Sequence, residues 1–593
     1  MERPDLRAKY RAERDKRLRP DGNDQYMEPT GRFASLLDDP YTEPFEREPI
    51  DEELSVVLIG AGFAGLIHAA RLVQAGITDL RLVDKAGDVG GVWYWNRYPG
   101  AQCDTAAMIY LPLLEETGTV PSRKYVRAPE IFAHAKRIAE TFGLYEGALL
   151  STGITDVRWD AASSRWIVRT DRDDTLRARF VITGTGPLSR PKLPAVEGLD
   201  TFAGPAFHTS RWDYSVTGGN PDGTPMTALA GKRVGIIGTG ATAVQAIPHL
   251  AESAGELFVF QRTPSSVDAR GNHDIDPDWF DTLEPGWQSE WQMNFATLQT
   301  GGFTDEDLVK DGWTDISNRI RDAVVAAVGA GAELTPETIA TAFGEADDLK
   351  MDEIRARIEA IVEDPATAEA LKPWYRQLCK RPCFSDEYLE AYNLPGTHLI
   401  DTDGKGVHRV DAEGVWVGDR HYPLDVLVIA SGFEFGTDVG RRSGYEITGP
   451  AGTTLSEHWS DGMRTLHGMQ THGFPNLFVA GLTQAANLIS NVPHNYVESA
   501  NTVAAIVAHA REVGATEVEA TAEAEEKWLS LLMNGSALFG NPDCTPGYYN
   551  NEGRPIDDSA RRAMAGYPGG AVAYFTHIDA WRRKGTFEGV DFR

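Results

Sequence analysis

Hydrophobic and polar positions follow three regimes along the chain. Residues 1–50 are polar, rich in Arg, Asp and Pro, with little periodicity. They predict an arm that wraps a domain or stays partly disordered. Ordered structure is expected from Leu54, where Val56-Val57-Leu58-Ile59 is an unbroken apolar run of the kind buried on both faces of a parallel sheet. A helical pattern over Leu66–Leu72 and a second apolar run, Leu80–Val83, follow. The same succession returns after the Gly/Pro-rich stretch Thr217–Pro225, as Val234–Ile237, Val244–Leu250 and Leu257–Phe260. Two such units predict an α/β fold with two doubly wound domains. Between 274 and 372 the pattern turns helical, with Trp279, Trp287, Trp291 and Trp313 spread among acidic residues, an insertion in the second unit. Apolar runs at Val426–Ile429 and Leu477–Val479 are expected to complete the first unit. A polar helix is expected over Glu517–Met533, then an irregular tail rich in Gly, Pro and Tyr.

Composition narrows the classes. With 593 residues the chain can bury more than one core. A net charge of −30 repels phosphate backbones and argues against nucleic acid as a partner. The four cysteines, Cys103, Cys379, Cys383 and Cys544, form no CxxC pair and no zinc-like cluster. No metal site is therefore expected, and a dithiol flavin reductase is disfavoured. So few thiols suit a reducing compartment. The first sixteen residues are too charged for a signal peptide, and no run reaches the ~20 apolar residues of a membrane span. A cytoplasmic protein without membrane partners is expected; monomer or homo-oligomer stays open.

Each unit opens on a glycine turn between strand and helix. The first is Gly60-Ala61-Gly62-Phe63-Ala64-Gly65, and the strand beyond it ends at Asp84. The second is Gly238-Thr239-Gly240-Ala241-Thr242-Ala243, and its next strand runs into Arg262-Thr263. Glycine permits the tight turn and close approach of a pyrophosphate to a helix N-terminus. Asp84 and Arg262 stand 24 positions beyond Gly60 and Gly238, so one structural position carries an acid in one site and a base in the other. An acid accepts from a ribose diol and repels a 2′-phosphate, whereas arginine pairs with it. The first site is thus expected to take FAD and the second NADPH. The corresponding division is two Rossmann-like domains: an arm (1–50), a discontinuous FAD domain (51–195 and 385–535), an NADPH domain (196–384) with its helical insertion, and a tail (536–593).

Between the two turns lies Phe202-Ala203-Gly204-Pro205-Ala206-Phe207-His208-Thr209-Ser210-Arg211-Trp212-Asp213, which resembles the FxGxxxHxxxW(P/D) fingerprint of type I Baeyer–Villiger monooxygenases. Two further stretches resemble motifs of that family, residues 90–104 and 425–433. The resemblance spans about residues 54–550 and implies ketone oxygenation with NADPH and O2 through a C4a-peroxyflavin. Such chemistry requires a fixed positive charge where anion develops. Arg381, in Cys379-Lys380-Arg381-Pro382-Cys383, resembles the family's catalytic arginine. Asp104 resembles the carboxylate that orients it, and Lys380 a holder of the 2′-phosphate. Taken alone, a Lys-Arg pair is more often a solvated face. By the same resemblance Ala64, Val92, Trp93, Tyr94, Trp95, Tyr110, Ile154 and Val492 contact FAD. Gln102, near the nicotinamide, stands where relatives commonly carry arginine. His208 and Trp212 are expected to couple the domains, on one helix face or in a packed linker.

Tyr548-Tyr549-Asn550-Asn551 either folds over cofactor and substrate or simply packs the tail. The charged arm and the segment 544–549 resemble the branch acting on cyclododecanone and cyclopentadecanone, which implies bulky cyclic ketones and lactone or ester products. The rivals are a flavin monooxygenase attacking nitrogen or sulfur and a flavin-binding sensor without turnover. No Ser/His/Asp or Cys/His nucleophile arrangement stands out.

Overall fold

The computed structural model describes residues 3–435, 439–533, 544–555 and 557–593. Its first sheet is built around β1 (Asp51–Ile59), which pairs in parallel with Leu80–Val83 on one side and Thr175–Thr183 on the other. The long strand Thr175–Thr183 changes neighbours along its length. Its first half meets Arg165–Thr170 in an antiparallel meander, and its second half meets Leu477–Val479 in parallel. The alternation of side chains along a strand explains the unbroken apolar run. Val56 and Leu58 face α1 (Phe63–Gln74) and the helix Val492–Val513, whereas Val57 and Ile59 face the meander's Trp159 and Trp166. Each such fully buried side chain contributes about 1.5–3 kcal/mol.

The second sheet runs, all in parallel, Thr397–Asp401, Glu256–Gln261, β2 (Arg233–Ile237), Val426–Ile429 and Ala206–His208. This corrects one expectation. Val426–Ile429 completes the second unit, in register with Val234–Ile237, and not the first. The chain therefore stays in the second unit through residue 429 and returns to the first sheet with Ile447–Thr448 and Leu477–Val479. An apolar run records burial but not the strand that will cover it. Helix α2 (Ala241–Ser253) packs on β2, and Met351, Ile354 and Ile358 of the insertion join the same core. The insertion is helical as expected, with Trp287–Gln299, Gly312–Gly329 and Pro336–Ile361 as its longest members.

The arm is ordered where described and wraps both units. Its helix Arg3–Asp15 sends Arg7 to both carboxylate oxygens of Asp348 at 2.8 Å. Further on, Asp39 accepts from Gly87 N–H and the Tyr94 hydroxyl, and Arg47 grips Asp174 at 2.6 Å. At the other end, Val518–Ala520 is a strand paired with Val590–Phe592, so the helix expected from Glu517 begins at Ala522. The partner strand comes from the far end of the chain, beyond the reach of local periodicity. Cys379 and Cys544 are joined in a disulfide across 165 positions, where the sequence suggested only thiols. The expected tail boundary at 536 lies outside the described residues.

Candidate functional site

The first glycine turn is a cradle with no room for side chains. Gly60 has φ +105, and a Cβ on Gly65 would meet the Gly60 carbonyl at 1.8 Å. A Cβ on Gly91 would lie 2.6 Å from Gly62 Cα, so the loop at 90–91 closes directly over the turn. No side chain caps α1, which leaves its first-turn N–H groups for an anion. Asp84 accepts from Ala61 N–H at 2.7 Å and from Ala86 N–H at 2.8 Å, so it braces the turn. Burial pushes its carboxyl above the usual range, against those two N–H groups. The arrangement fits a pyrophosphate and ribose diol of FAD. Around it, the Trp93 indole donates to the Tyr110 hydroxyl at 3.0 Å, and Asn491, capping the helix that starts at Val492, donates to the Ile109 carbonyl at 3.1 Å. Thr152 N–H donates to the Asp84 carbonyl at 2.9 Å, which holds Ile154 two residues beyond that turn. Tyr94 and Trp95 turn elsewhere: Tyr94 donates to Asp39 of the arm, and Arg211 lies 3.8 Å over the Trp95 ring.

The second turn repeats the geometry. Gly238 has φ +115, and a Cβ there would stand 2.6 Å from the Ala430 carbonyl. Gly240 caps α2, whose first turn carries Ala241 and Thr242. Thr239 Oγ1 donates to the Thr263 carbonyl at 2.7 Å, so the turn is tied to the end of the next strand. Arg262 follows that strand, with Lys380 close enough to act on it. Burial, with Arg262 and Arg17, pushes the Lys380 ammonium down to about 8. Such a cluster of cations fits a 2′-phosphate. Helix α2 also holds the first unit: Gln245 Oε1 accepts from the Tyr98 hydroxyl at 2.8 Å and Gln102 N–H at 3.2 Å, while its Nε2 donates to the Gln102 carbonyl at 2.8 Å. The Gln102 side chain is occupied by the Tyr125 carbonyl at 2.5 Å.

A charge cluster joins Asp104 of the first unit to Arg381 of the second. Arg381 Nε is 3.9 Å from Asp104 Oδ2, and its guanidinium faces the Trp313 ring at 5.5 Å. Burial alone would lower the Arg381 pKa, but the Asp104 carboxylate, with Tyr549 and Tyr548, holds it above the ordinary value. The side chain keeps 32% of its surface accessible. Asp104 is only 5% exposed, and its shortest ion pair is with a residue sequence reasoning missed. Arg270 Nη2 donates to Asp104 Oδ1 at 2.6 Å, and the same guanidinium donates to the Phe384 and Cys103 carbonyls. Asp104 thus sits between two arginines, one locked and one reachable. The only hint was an arginine shortly after the strand end bearing Arg262.

The fingerprint does not reach this cluster. Its histidine ends the strand Ala206–His208, and a short 3-10 turn follows, so the single-helix alternative is corrected to a packed linker. His208 is fully buried, and burial, with Arg211 beside it, lowers its pKa to about 3. Its Nδ1 meets Ser210 Oγ at 2.8 Å, and Trp212 packs on Phe207. Arg211, over Trp95, joins this linker to the first unit.

Residues 58–118 match the family described as an NAD(P)-binding Rossmann-like domain. The chain is 48% identical to neopentalenolactone D synthase of Streptomyces avermitilis, over 99% of both chains. It is 46% identical to a Baeyer–Villiger monooxygenase of Streptomyces coelicolor, over 98% of this chain and 95% of that one. Among solved structures, a polycyclic ketone monooxygenase from Thermothelomyces thermophila superposes with a TM-score of 0.89 at 38% identity, covering 100% and 99% of the two chains. A complex of OTEMO with FAD and NADP gives 0.72 at 28% identity, covering 92% and 100%. Relatives at 46–48% identity cover 98–99% of this chain, and the chain belongs to the Baeyer–Villiger monooxygenases, enzymes that use FAD, NADPH and O2 to oxygenate ketones.

Proposed function

We propose that this enzyme oxygenates bulky cyclic ketones, polycyclic or macrocyclic, with Arg381 as the fixed positive charge at the reacting carbonyl. FAD, reduced by NADPH, supplies the activation of O2; the chain's own residues hold charge and shape the space around the ketone. The observation that carries the reading is the setting of Arg381, paired with a buried carboxylate yet a third accessible. A guanidinium cannot give up its proton at neutral pH, so it stabilises the negative charge that builds on the carbonyl oxygen without quenching the attacking oxygen nucleophile. Asp104, itself anchored by Arg270, keeps Arg381 from swinging to another partner.

The rim favours a large apolar substrate. Phe435 and Tyr548 pack edge to face at 5.2 Å while keeping 36% and 42% of their surface exposed, and Tyr548 and Tyr549 act electrostatically on Arg381. Exposed aromatics beside a partly accessible charge suit a wide hydrocarbon skeleton with one carbonyl. The polycyclic ketone named for one relative, at 38% identity over the whole chain, supports the same size class. Among the described residues no helix is long and apolar enough to cross a membrane.

The test compares kcat/KM for cyclopentadecanone and a tetracyclic ketone with that for cyclohexanone, in wild type and Arg381→Ala. Larger ketones are expected to be preferred. Arg381→Ala should still be reduced by NADPH, while lactone formation falls about 10²–10³-fold, the usual loss for one oxyanion-stabilising group. Turnover confined to small ketones would refute the size class, and lactone formation surviving Arg381→Ala would refute the residue assignment.

A further inference from the structure

Arg381 is held on a second side. Its contact with Asp104 is made at Nε, 3.9 Å from Oδ2 and beyond hydrogen-bond distance, so the carboxylate tethers the charge without fixing the plane of the guanidinium. The guanidinium carbon lies 5.5 Å from the centre of the Trp313 ring, within cation–π range. A ring differs from a second carboxylate in two ways. It attracts the cation without cancelling its charge, and it uses up none of the N–H donors that a reacting carbonyl needs.

Trp313 is fixed from several directions. It is 3% exposed and lies in the first turn of Gly312–Gly329, whose N-cap Asp311 accepts from its main-chain N–H at 2.9 Å. Its carbonyl accepts from Gln299 Nε2 at 2.5 Å, and its ring packs on Phe384 at 5.9 Å. The helix starts flush against that phenyl, since a Cβ on Gly312 would stand 2.0 Å from it. The Phe384 carbonyl also takes Arg270, so the platform under Arg381 and the anchor of Asp104 meet on one residue. The same apolar cluster holds Ala106 and Ile109, just beyond Asp104 in the chain. The indole N–H, by contrast, finds no hydrogen-bond partner among the described residues. A buried tryptophan usually pairs that donor, so the feature this site uses is the face of the ring.

We propose that Trp313 is the positioning residue of Arg381: its indole face carries the guanidinium, fixes its plane and leaves its Nη donors for the ketone oxygen. The inference rests on the assignment of Arg381 to the reacting carbonyl. It explains how an arginine a third accessible keeps one orientation although its carboxylate stands outside hydrogen-bond distance. With so little of its surface exposed, Trp313 acts through Arg381 and not by touching the ketone. The helical insertion thereby gains a function. It brings a ring from the second unit to a cation whose carboxylate comes from the first.

The test changes the face of the ring and keeps its shape. Mono-, di- and trifluorotryptophan placed at position 313 withdraw electron density from the face in steps. FAD-loaded enzyme is assayed for kcat/KM with whichever of cyclopentadecanone, a tetracyclic ketone and cyclohexanone it turns over best. The ratio should fall with each fluorine, to about a tenth with three, while flavin reduction by NADPH stays within about twofold. A level series would overturn the proposal. Trp313→Leu should cost about tenfold or more in wild type and less than about twofold in Arg381→Ala. An equal cost in both backgrounds would make Trp313 packing alone and refute the coupling. If Trp313→Leu fails to hold FAD, the fluorinated series, with its native shape, decides. Arg381→Ala separates the two readings. If it leaves kcat/KM unchanged, the assignment of Arg381 fails and this inference with it, whereas a large loss there beside a level fluorine series sinks the role of Trp313 only.

Discussion

Replacing Arg270 by methionine keeps most of the side-chain volume and removes every donor from a buried site. Four donations disappear together: to Asp104 at 2.6 Å, to the Phe384 carbonyl at 2.6 and 3.0 Å, and to the Cys103 carbonyl at 3.3 Å. Arg270 and Asp104 have only 5% and 4% of their side-chain surface exposed, so water cannot take over those roles. Breaking one side of a buried ion pair costs about 3–5 kcal/mol, most of it the carboxylate left desolvated. Asp104→Asn in the Arg270→Met background removes that charge and should restore about 2 kcal/mol or more, well outside the ~0.5 kcal/mol within which independent sites add. Urea unfolding of FAD-loaded enzyme, followed by tryptophan fluorescence and compared at equal slope, reads the four variants. If the two substitutions simply add, the pair is not a buried coupled unit and the anchoring role of Arg270 is wrong. Activity supplies a second readout. With Arg270 gone, Asp104 has Arg381 as its nearest cation, and lactone formation should fall even at temperatures where the variant is folded.

Two further outcomes follow from the glycine cradle and the phosphate cluster. Gly65→Ala places a methyl 1.8 Å from the Gly60 carbonyl, so the first turn must open; the purified protein should be colourless, with no flavin absorbance, and a yellow protein with full FAD content would contradict the cradle. Lys380, lowered to about 8 by burial and by Arg262 and Arg17, is charged below that pH and neutral above it. NADP+ affinity should therefore fall as pH rises through about 8, by up to tenfold per unit, while NAD+ affinity stays level. Lys380→Arg should flatten the profile, and a flat wild-type profile would remove Lys380 from the site.

Legibility in the sequence followed the range of each interaction. The two glycine turns, Asp84 and Arg262 are local: a strand, a turn and a helix within some thirty residues carry their own spacing, and the structure reproduces them. Arg381 came from resemblance, since a Lys-Arg pair alone says nothing about depth. Arg270 stayed hidden because its partner Asp104 is 166 positions away and no periodicity marks it. The disulfide and the Arg262–Glu552 contact were hidden for the same reason. Val426–Ile429 was recognised as a strand and given to the wrong sheet, because apolar content specifies that a strand is covered and not which neighbour covers it.

The glutamine on α2 that joins the two units has one more consequence. Gln245 reads residue 102 only through its main-chain N–H and carbonyl. The seam is thus indifferent to the side chain at that position, as a zip is to the colour of its cloth. Position 102 is free to vary without loosening this contact between the two units. A different side chain there leaves the joint between the two units intact.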